Sequence, residues 1–375
     1  MSRAGKQRPL EGIRVLDFTS LLPGPLAGLM LAEAGAEVTK IEPPAGDGMT
    51  LLGPNWSGTP ALYALLNAGK RRKVVNLKDA AGLSELEPLL GEADVLIEQF
   101  RPGVMERLGL GYEILKQRYP GLIYCSITGY GQTGPWAQRA GHDLNYIGDS
   151  GILMLAPGAP SIPPVLAADI AGGSYPAVIN ILLALLQRER TGEGTHIDIS
   201  MAECMLPFAF WALPDVHLTQ SAPRPGGEWI TGGSPRYRVY RAGDGAMICI
   251  AAIEQKFWEA FCLAIGLDAR FASDDAPAEE AIAEVARIIA SRDAAHWARA
   301  FDKADCCCSV ASSLTEAVAS PHFAARGVFG YRLENGSGQS MPALPLPLAP
   351  QFRAGPDEGR QAPALPARMR EGTLD

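Results

Sequence analysis

The feature of this sequence that most constrains its fold is an alternation of strand-like and helix-like segments near the N-terminus. Residues 12–19 are strand-like, residues 24–35 have helical composition, and residues 36–41 again resemble a strand. Pro23 and Pro25 suit a first helical turn, because the N–H group that proline lacks would have no partner there. The order strand, helix, strand predicts a βαβ unit and therefore a parallel sheet.

The same alternation continues through the first half of the chain. We predict strands at residues 94–97, 122–128 and 195–200, and an apolar helix at residues 175–190. These elements predict a large α/β domain over residues 1–220, with a doubly wound, Rossmann-like parallel sheet.

A change of composition at residue 221 predicts a second domain. A turn-rich stretch is followed there by strands and helices that no longer alternate, so we predict a small α+β domain over residues 221–328. The final segment, residues 329–375, is rich in proline, which favours extended chain over helix. The elements predicted in the small domain are strands 237–241 and 246–251 and helices 254–265, 278–291 and 294–303.

Charge, hydropathy and cysteine content exclude several classes of protein. The 33 Lys and Arg residues against 41 Asp and Glu give a net charge of −8, which disfavours nucleic acid as a partner. No apolar run approaches about 18 residues and no export signal is evident, so we expect a cytoplasmic protein with no membrane partner. Seven cysteines are an odd number and are expected to be reduced. The adjacent Cys306, Cys307 and Cys308 lack the spacing of a zinc site, so no metal is expected.

The opening βαβ unit raises the question of a dinucleotide site. Glu42 ends the second strand, where an acidic residue holds ribose hydroxyls in such folds. The turn before the helix, however, contains Pro23 and Pro25 in place of the G-x-G-x-x-G pattern, and these prolines remove backbone donors that a pyrophosphate needs. We therefore disfavour NAD as a cofactor.

Basic residues near two predicted strands are candidate phosphate ligands. Arg101 directly follows a strand, at the edge where parallel sheets bind ligands, and a proline and a glycine fix its loop. The run Lys70, Arg71, Arg72 and Lys73 precedes another predicted strand. Taken alone, such a run of charges is more often a solvated face. Arg101 is therefore the stronger candidate.

His142 and Asp169 are the candidate proton-transfer residues. His142 lies in a polar loop downstream of the glycine-rich loop 129–135. Asp169 lies among small apolar residues before a helix, where desolvation would raise its pKa and the helix N-terminus would lower it. In the alternative interpretation, Asp169 is an N-cap and His142 is a hydrogen-bonding loop residue. Spacing alone does not decide between the catalytic and the structural interpretation.

Two other arrangements are weaker candidates for catalysis. His196 and Asp198 share one face of a predicted strand, but such pairs are frequent at exposed strand ends. Ser126, Ser150 and Ser174 lack the G-x-S-x-G turn of many serine hydrolases. Neither arrangement displaces His142 and Asp169.

Several long stretches resemble one known family. LEGIRVLDFTSLLPGPLAGLMLAEAGAEVTKIEPPAGD, NAGKRRKVVNLK, ADVLIEQFRPGVMERLGLGYEIL and LIYCSITGYGQTGP are similar to the family III CoA-transferases, the CaiB/BaiF group. Within that family, GHDLNYIGDSGIL, AADIAGGS and IAAIEQKFWEAF most resemble the α-methylacyl-CoA racemase branch. The resemblance extends from about Pro9 to Phe329.

The resemblance implies an interlocked homodimer whose large domain binds coenzyme A. The C-terminal segment 329–375 would return to the large domain. Coenzyme A would enter as the carrier part of an acyl-CoA substrate, and no separate cofactor would be required. By matched position, the residues near CoA would be Arg101, the cluster Lys70, Arg71 and Arg72, and the loop 129–134 with Tyr130 and Gly131, which the acyl chain would reach.

The resemblance also implies a choice of reactions. In a racemase, His142 and Asp169 would exchange protons with opposite faces of the α-carbon of a 2-methyl-branched acyl-CoA, through an enolate. Glu254 would approach the histidine, from the partner subunit. In a CoA-transferase, Asp169 would be a nucleophile that forms an aspartyl-CoA thioester. A third alternative is CoA binding without catalysis. We expect the racemase reaction, because His142 stands in the GHD segment.

The small domain departs from the racemase pattern at two points. Residues 305–312 read DCCCSVAS, where racemases usually have DACVTPVL. The segment between Gly266 and Ala278 is short and lacks the usual tryptophan-proline. Both changes lie in the domain that would shape the acyl pocket. The identity of the acyl group is therefore not predicted.

Overall fold

The computed structural model of the chain describes residues 8–273 and 276–365, which form two compact units. Among the described residues, unit 1 comprises 8–150, 163–207 and 321–365, and unit 2 comprises 151–162 and 208–320. Residues 1–7, part of the predicted large domain, and residues 366–375, at the end of the predicted C-terminal segment, lie outside the description. The unit boundaries differ from the predicted domain boundaries at 220 and 328, and the domain assignment stays a prediction.

The strands form one six-stranded sheet, two three-stranded sheets and one two-stranded hairpin. In the described chain they are β1 Arg14–Asp17, β2 Glu37–Glu42, β3 Asn55–Trp56, β4 Thr59–Pro60, β5 Arg71–Val74, β6 Val95–Glu98, β7 Ile123–Thr128, β8 His196–Ser200, β9 Tyr237–Arg241, β10 Met247–Ala251, β11 Cys308–Val310, β12 Arg332–Glu334, β13 Ser340–Pro342 and β14 Arg360–Gln361.

The helices include one long interrupted stretch. A π-helical turn, Ile170–Ser174, joins its two parts, α7 and α8. In the described chain the helices are α1 Pro23–Glu33, α2 Ala61–Asn67, α3 Ala80–Glu92, α4 Val104–Arg107, α5 Tyr112–Arg118, α6 Asp143–Asp149, α7 Ala167–Asp169, α8 Tyr175–Thr191, α9 Leu213–Thr219, α10 Gln255–Ile265, α11 Ala278–Ile289, α12 Ala294–Ala304, α13 Leu314–Val318 and α14 Pro321–Ala325.

The main sheet of unit 1 is parallel throughout and has the order β5-β2-β1-β6-β7-β8. When only its own strands are counted along the chain, this is the order 3-2-1-4-5-6 of doubly wound folds. The strand order reverses between β1 and β6. The prediction of an α/β fold with a parallel sheet is confirmed, and the opening βαβ unit is present as β1, α1 and β2.

Helices cover both faces of this sheet. On one face, Leu16 and Leu96 pack with Leu86 of α3 and Leu115 of α5 in one buried cluster. Successive strand side chains point to opposite faces, so Asp17 points away from that cluster. Helix α1 passes over Asp17 closely. The sheet is therefore enclosed on both sides, as its almost wholly apolar inner strands require.

A buried ion pair lies beneath α1. The Nζ atom of Lys70 donates to Asp17 Oδ2 at 2.8 Å, to the carbonyl oxygen of Pro25 at 2.8 Å and to Asn67 Oδ1 at 3.0 Å. Burial by itself would raise the pKa of Asp17, but Lys70 and Lys40 outweigh that effect and lower it to about 2. All three ammonium hydrogens of Lys70 thus have acceptors inside unit 1.

Gly28 allows this arrangement, because a side chain there would collide with it. A Cβ atom at Gly28 would lie 2.8 Å from Asp17 Oδ2 and 3.0 Å from Lys70 Nζ. In dinucleotide-binding folds the glycines of this turn admit a pyrophosphate or close helix packing. Here the glycine admits an ion pair.

Most of the basic run, residues 71–73, lies within an edge strand, and not before one as we predicted. Strand β5 contains Arg71 and Arg72 and pairs with β2. The Arg72 Nε atom donates to the buried Glu42 at 2.6 Å, and Tyr63 Oη donates to Glu42 at 2.5 Å. We placed this strand too late in the sequence. Its charged residues have a low strand propensity, and pairing with β2 stabilises them in a strand. Glu42, the residue that suggested a ribose contact, is thereby occupied.

One helical stretch of unit 1 corrects the expectation about membrane-spanning segments. Among the described residues, Ala167–Thr191 is long and apolar enough to cross a membrane by length and composition, with a mean hydropathy of 1.5. A core helix passes the same test, so this is weak evidence for a membrane span. Part of the helix packs inside unit 1, and another part exposes Ile179, Leu182, Leu183 and Leu186.

Unit 2 contains a three-stranded antiparallel sheet in the order β11-β10-β9. Ile248 and Ile250 of its central strand pack against Trp258 of α10 and Val285 of α11. This α+β arrangement follows the predicted strands and helices closely, with β9 at the predicted residues.

We predict that breaking the buried pair costs far more stability than breaking an exposed one on the same sheet. Asp17→Asn leaves the Lys70 charge buried without its counter-ion, so the free energy of unfolding should fall by about 3–5 kcal/mol. Glu37→Gln breaks the exposed Arg71–Glu37 pair and should change it by less than about 1 kcal/mol. Urea denaturation of the two variants tests this, and equal losses would contradict it.

Candidate active site

A cavity of about 450 Å³ opens at the carboxyl ends of the central strands of unit 1. Leu21 and Pro23 follow β1, residues 99–102 follow β6, and Thr128 ends β7. The cavity therefore lies where the strand order reverses, which is where doubly wound folds bind ligands. We call it the switch-point cavity. Its polar lining includes Gln99, Arg101, Thr128, Arg139, His142, Asn145, Tyr146 and Asp169.

His142 lines this cavity from the N-cap position of α6. Its backbone is extended, with φ −131° and ψ 175°, and its N–H group donates to Asn145 Oδ1 at 3.0 Å. This hydrogen bond involves only the backbone of His142. The residue is exposed and lines the cavity. His142 is thus both a helix-end residue and a side chain available to a ligand.

Asp169 lines the same cavity from the last residue of α7. Its φ of −64° and ψ of −41° are helical, so the interpretation of Asp169 as an N-cap was wrong. The following turn is π-helical, a local irregularity frequent at functional sites. The backbone N–H of Asp169 donates to Asp143 Oδ1 at 2.9 Å, which links α7 to α6.

The surroundings of Asp169 make its carboxyl group a weak acid. Burial raises the pKa of Asp169 to about 6, the neighbouring Asp143 adds to the rise, and His142 opposes it. Desolvation, which the sequence suggested, is therefore the main cause of the raised pKa of Asp169. A carboxyl group with this pKa exchanges protons readily near neutral pH.

Two arginines supply positive charge to the cavity wall. Arg101 lies on the exposed loop after β6, as predicted. Arg139, which the sequence analysis missed, packs its guanidinium over the rings of Trp136 and Tyr130 at 5.3 and 5.7 Å. It also pairs with Asp149 at 3.1 Å. Arg139 could have been suspected from its position in the loop after the glycine-rich turn.

The basic cluster before and within β5 does not line the switch-point cavity. Lys70 donates to Asp17, Pro25 and Asn67. Its contact with a CoA phosphate stays a prediction. Arg72 pairs with Glu42, and Arg71 pairs with Glu37 at 3.2 Å on the surface. Contacts of Arg71 and Arg72 with CoA stay predictions.

Tyr130 belongs to a neighbouring cavity of about 330 Å³ in unit 1. Its hydroxyl donates to Asp149 at 2.6 Å, and its ring meets the ring of Tyr146 edge-on at 5.3 Å. Tyr146 lines the switch-point cavity, so the two aromatic rings form part of the wall between the cavities. Gly131 has a φ of +81°, which favours glycine, and it shapes the loop. Their contacts with CoA also stay predictions.

Glu254 lies in unit 2, at the exposed N-cap position of α10. Its φ of −70° and ψ of 144° are extended, and the helix begins at the next residue. Its predicted approach to His142 from a partner subunit, and the homodimer itself, stay predictions.

The weaker candidates make structural contacts within unit 1. His196 Nε2 lies 3.0 Å from the buried Ser126 Oγ, and Asp198 accepts a hydrogen bond from the N–H of Gln132 at 2.9 Å. Burial lowers the pKa of His196. Ser174 donates to the carbonyl oxygen of Pro23 at 2.7 Å. These contacts hold strands and loops together. The lining of the switch-point cavity includes Pro23 but none of the side chains Ser126, Ser174, His196 and Asp198.

We predict that the charge of Asp143 contributes to the raised pKa of Asp169. Asp143→Asn keeps an oxygen that can accept the Asp169 N–H but removes the negative charge, so the pKa of Asp169 should fall below about 6. Asp149→Asn, at the other end of α6, should leave it unchanged. Carbon-13 NMR titration of the carboxyl groups, assigned with Asp169→Asn, measures this pKa. An unaltered value in Asp143→Asn would contradict the prediction.

Sequence comparison places these residues in a known group. Residues 10–367 match the family model described as CoA-transferase family III. The chain is 35% identical over 360 residues to the alpha-methylacyl-CoA racemase of Homo sapiens, covering 92% of this chain and 90% of the relative. It is 34% identical over 378 residues to the acetyl-CoA:oxalate CoA-transferase of Acetobacter aceti, covering 97% and 94%.

Structural comparison gives the same result. A crystal structure of a CaiB/BaiF family protein from Brucella suis superposes with a TM-score of 0.79 at 31% identity, covering 92% of this chain and 93% of that one. The relatives include both racemases and transferases, so they establish the group of reactions and leave the individual reaction open. The chain belongs to the family III CoA-transferases, the CaiB/BaiF family that our motifs indicated.

Proposed function

We propose that this protein is an acyl-CoA racemase or epimerase that inverts the α-carbon of a 2-methyl-branched acyl-CoA. The observation that carries the proposal is that His142 and Asp169 line one cavity at the switch point. An α-hydrogen next to a thioester is weakly acidic, because the charge of the enolate spreads onto the thioester oxygen. Inversion then needs one proton-transfer group on each face of that carbon.

The protonation of the pair supports this chemistry. In one direction, neutral His142 removes the α-proton and protonated Asp169 returns one to the other face. In the reverse direction, ionised Asp169 removes the α-proton and protonated His142 delivers another proton to the opposite face. Both starting states carry one proton in total, so the two directions share one bell-shaped pH dependence. The pKa of Asp169, about 6, keeps both states accessible near neutrality.

The cavity charges support CoA as the carrier of the acyl group. Arg101 has no hydrogen bond or ion pair from its side chain among residues 8–273 and 276–365. An unpaired guanidinium on a loop can form charge-assisted hydrogen bonds to a phosphate. Arg139 adds a second positive charge to the same wall. The substrate itself therefore supplies the coenzyme, and the proposed proton transfer needs no other cofactor.

The second candidate function is CoA transfer with Asp169 as the nucleophile. The 34% identity to an acetyl-CoA:oxalate CoA-transferase over almost the whole chain favours it. Asp169 would attack the thioester carbonyl, expel the CoA thiolate and form a mixed anhydride, which CoA would convert to an aspartyl-CoA thioester. In this reaction His142 only positions the substrate.

Isotope exchange separates the two functions. With a 2-methylacyl-CoA in deuterated water and no acceptor acid, the racemase should incorporate deuterium at the α-carbon and interconvert the enantiomers. His142→Ala and Asp169→Asn should each reduce racemisation by at least about 100-fold. Each variant should still exchange the one enantiomer whose proton faces the remaining group. His322→Ala, on an exposed residue of α14, is the matched control and should keep full activity.

The contrary outcomes are distinct. A hydroxylamine-trapped derivative of Asp169 without α-exchange would favour the transferase. CoA binding with neither exchange nor trapping would indicate a binding protein without catalysis. Exchange that survives in His142→Ala for both enantiomers would remove His142 from the reaction.

We further predict that Arg101 contributes directly to CoA binding. Arg101→Ala removes a charge-assisted phosphate contact and should weaken binding by about 1.5–3 kcal/mol. Arg190→Ala, on an exposed residue in the last turn of α8, removes the same charge away from the switch-point cavity and should have little effect. Calorimetric titration with CoA measures both dissociation constants. An equal loss in the two variants would remove Arg101 from the binding site.

A further inference from the structure

Three consecutive cysteines form a turn that leads into β11 of unit 2. Cys306 is 1% exposed and belongs to the core cluster of unit 2, Cys308 is partly buried at the first position of β11, and Cys307 is exposed. All three are free thiols. No role in the proposed reaction involves them, and they replace the residues usual in the racemase branch.

The backbone of this turn holds the first and third cysteines together. Cys307 has a φ of +55° and Asp305 a φ of +46°, a left-handed conformation that side chains other than glycine rarely adopt. The Cys308 Sγ donates to the carbonyl oxygen of Cys306 at 3.2 Å, and each of the two thiols affects the pKa of the other. Cys306 and Cys308 therefore lie side by side, with Cys307 between them in the chain.

The turn is held in this conformation by the neighbouring strand. The N–H of Ala251 donates to the carbonyl oxygen of Cys307 at 3.0 Å, and Cys308 pairs in register with Ile250 of β10. A left-handed residue costs energy, so this pairing maintains a geometry that the sequence alone would not adopt. The position of the Cys308 thiol beside Cys306 is thus maintained by the sheet of unit 2.

We propose that Cys306 and Cys308 form a reversible intramolecular disulfide in the presence of a small-molecule disulfide such as oxidised glutathione. The Cys308 thiolate attacks one glutathione sulfur, and one glutathione thiolate leaves. The Cys306 thiolate then attacks the Cys308 sulfur, and the second glutathione leaves. Two protein thiols lose two electrons and two protons, and the glutathione disulfide is reduced to two thiols.

Two features of the site set the rate of this reaction. Burial raises the pKa of both Cys306 and Cys308, so the reactive thiolates are scarce at neutral pH and the oxidation accelerates in alkaline buffer. The proximity of the two sulfurs favours closure of the ring over accumulation of the mixed disulfide. Ala251 leads directly into the segment with Glu254, so the ring would form beside the residue expected to approach the active site.

Peptide mass spectrometry tests the proposal on the full-length protein. The protein is treated with oxidised glutathione in mildly alkaline buffer, alkylated with iodoacetamide and digested with trypsin. The tryptic peptide 304–326 contains Cys306, Cys307 and Cys308 and no other cysteine. We expect this peptide to lose two hydrogens and to carry one alkyl group, located on Cys307 by fragmentation.

Serine variants identify the pair independently. Cys306→Ser and Cys308→Ser should each abolish the ring, whereas the matched control Cys307→Ser should keep it. Fragmentation of the wild-type peptide gives the same assignment if a variant fails to fold. Three alkylated cysteines, a persistent glutathione adduct, or a ring that includes Cys307 would each overturn the proposal.

Discussion

The buried pair between Asp17 and Lys70 is the interaction on which the rest of unit 1 depends. It joins the end of β1 to the start of β5 directly under α1, and only a glycine at position 28 leaves room for it. An unpaired charge at this depth would be strongly destabilising, so the pair fixes how closely α1 approaches the sheet. Helix α1 begins at Pro23, which lines the switch-point cavity. The geometry of the ion pair therefore determines one wall of the site.

Local signals in the sequence predicted the elements of the fold well. Pro23 at the first helical position, the periodicity of the apolar residues and the glycine after α8 each depend on residues close in the chain. In contrast, our prediction misplaced the charged strand β5, because its pairing with β2 depends on residues far away in sequence. The π-helical turn after Asp169 is another feature that no local pattern indicates.

The candidate site was predictable in its main residues and less so in their surroundings. His142, Asp169 and Arg101 stand in segments whose type and position signal function. The link between Asp143 and Asp169 joins residues on two helices, so spacing could not reveal it. The position of Tyr130 in the wall between two cavities likewise depends on how the loop packs, which is a tertiary property.

The acidity of Asp169 does not by itself decide between the two reactions. With a pKa of about 6, roughly nine tenths of the carboxyl groups are ionised at pH 7, which suits a nucleophile as well as a base. The histidine is the discriminating feature. A carboxylate that attacks a thioester releases a thiolate and no proton, so that step needs no second titratable group. Inversion of a carbon needs a proton removed from one face and another delivered to the opposite face. In the reaction that we propose, His142 would supply the second group, because it lines the same cavity as Asp169.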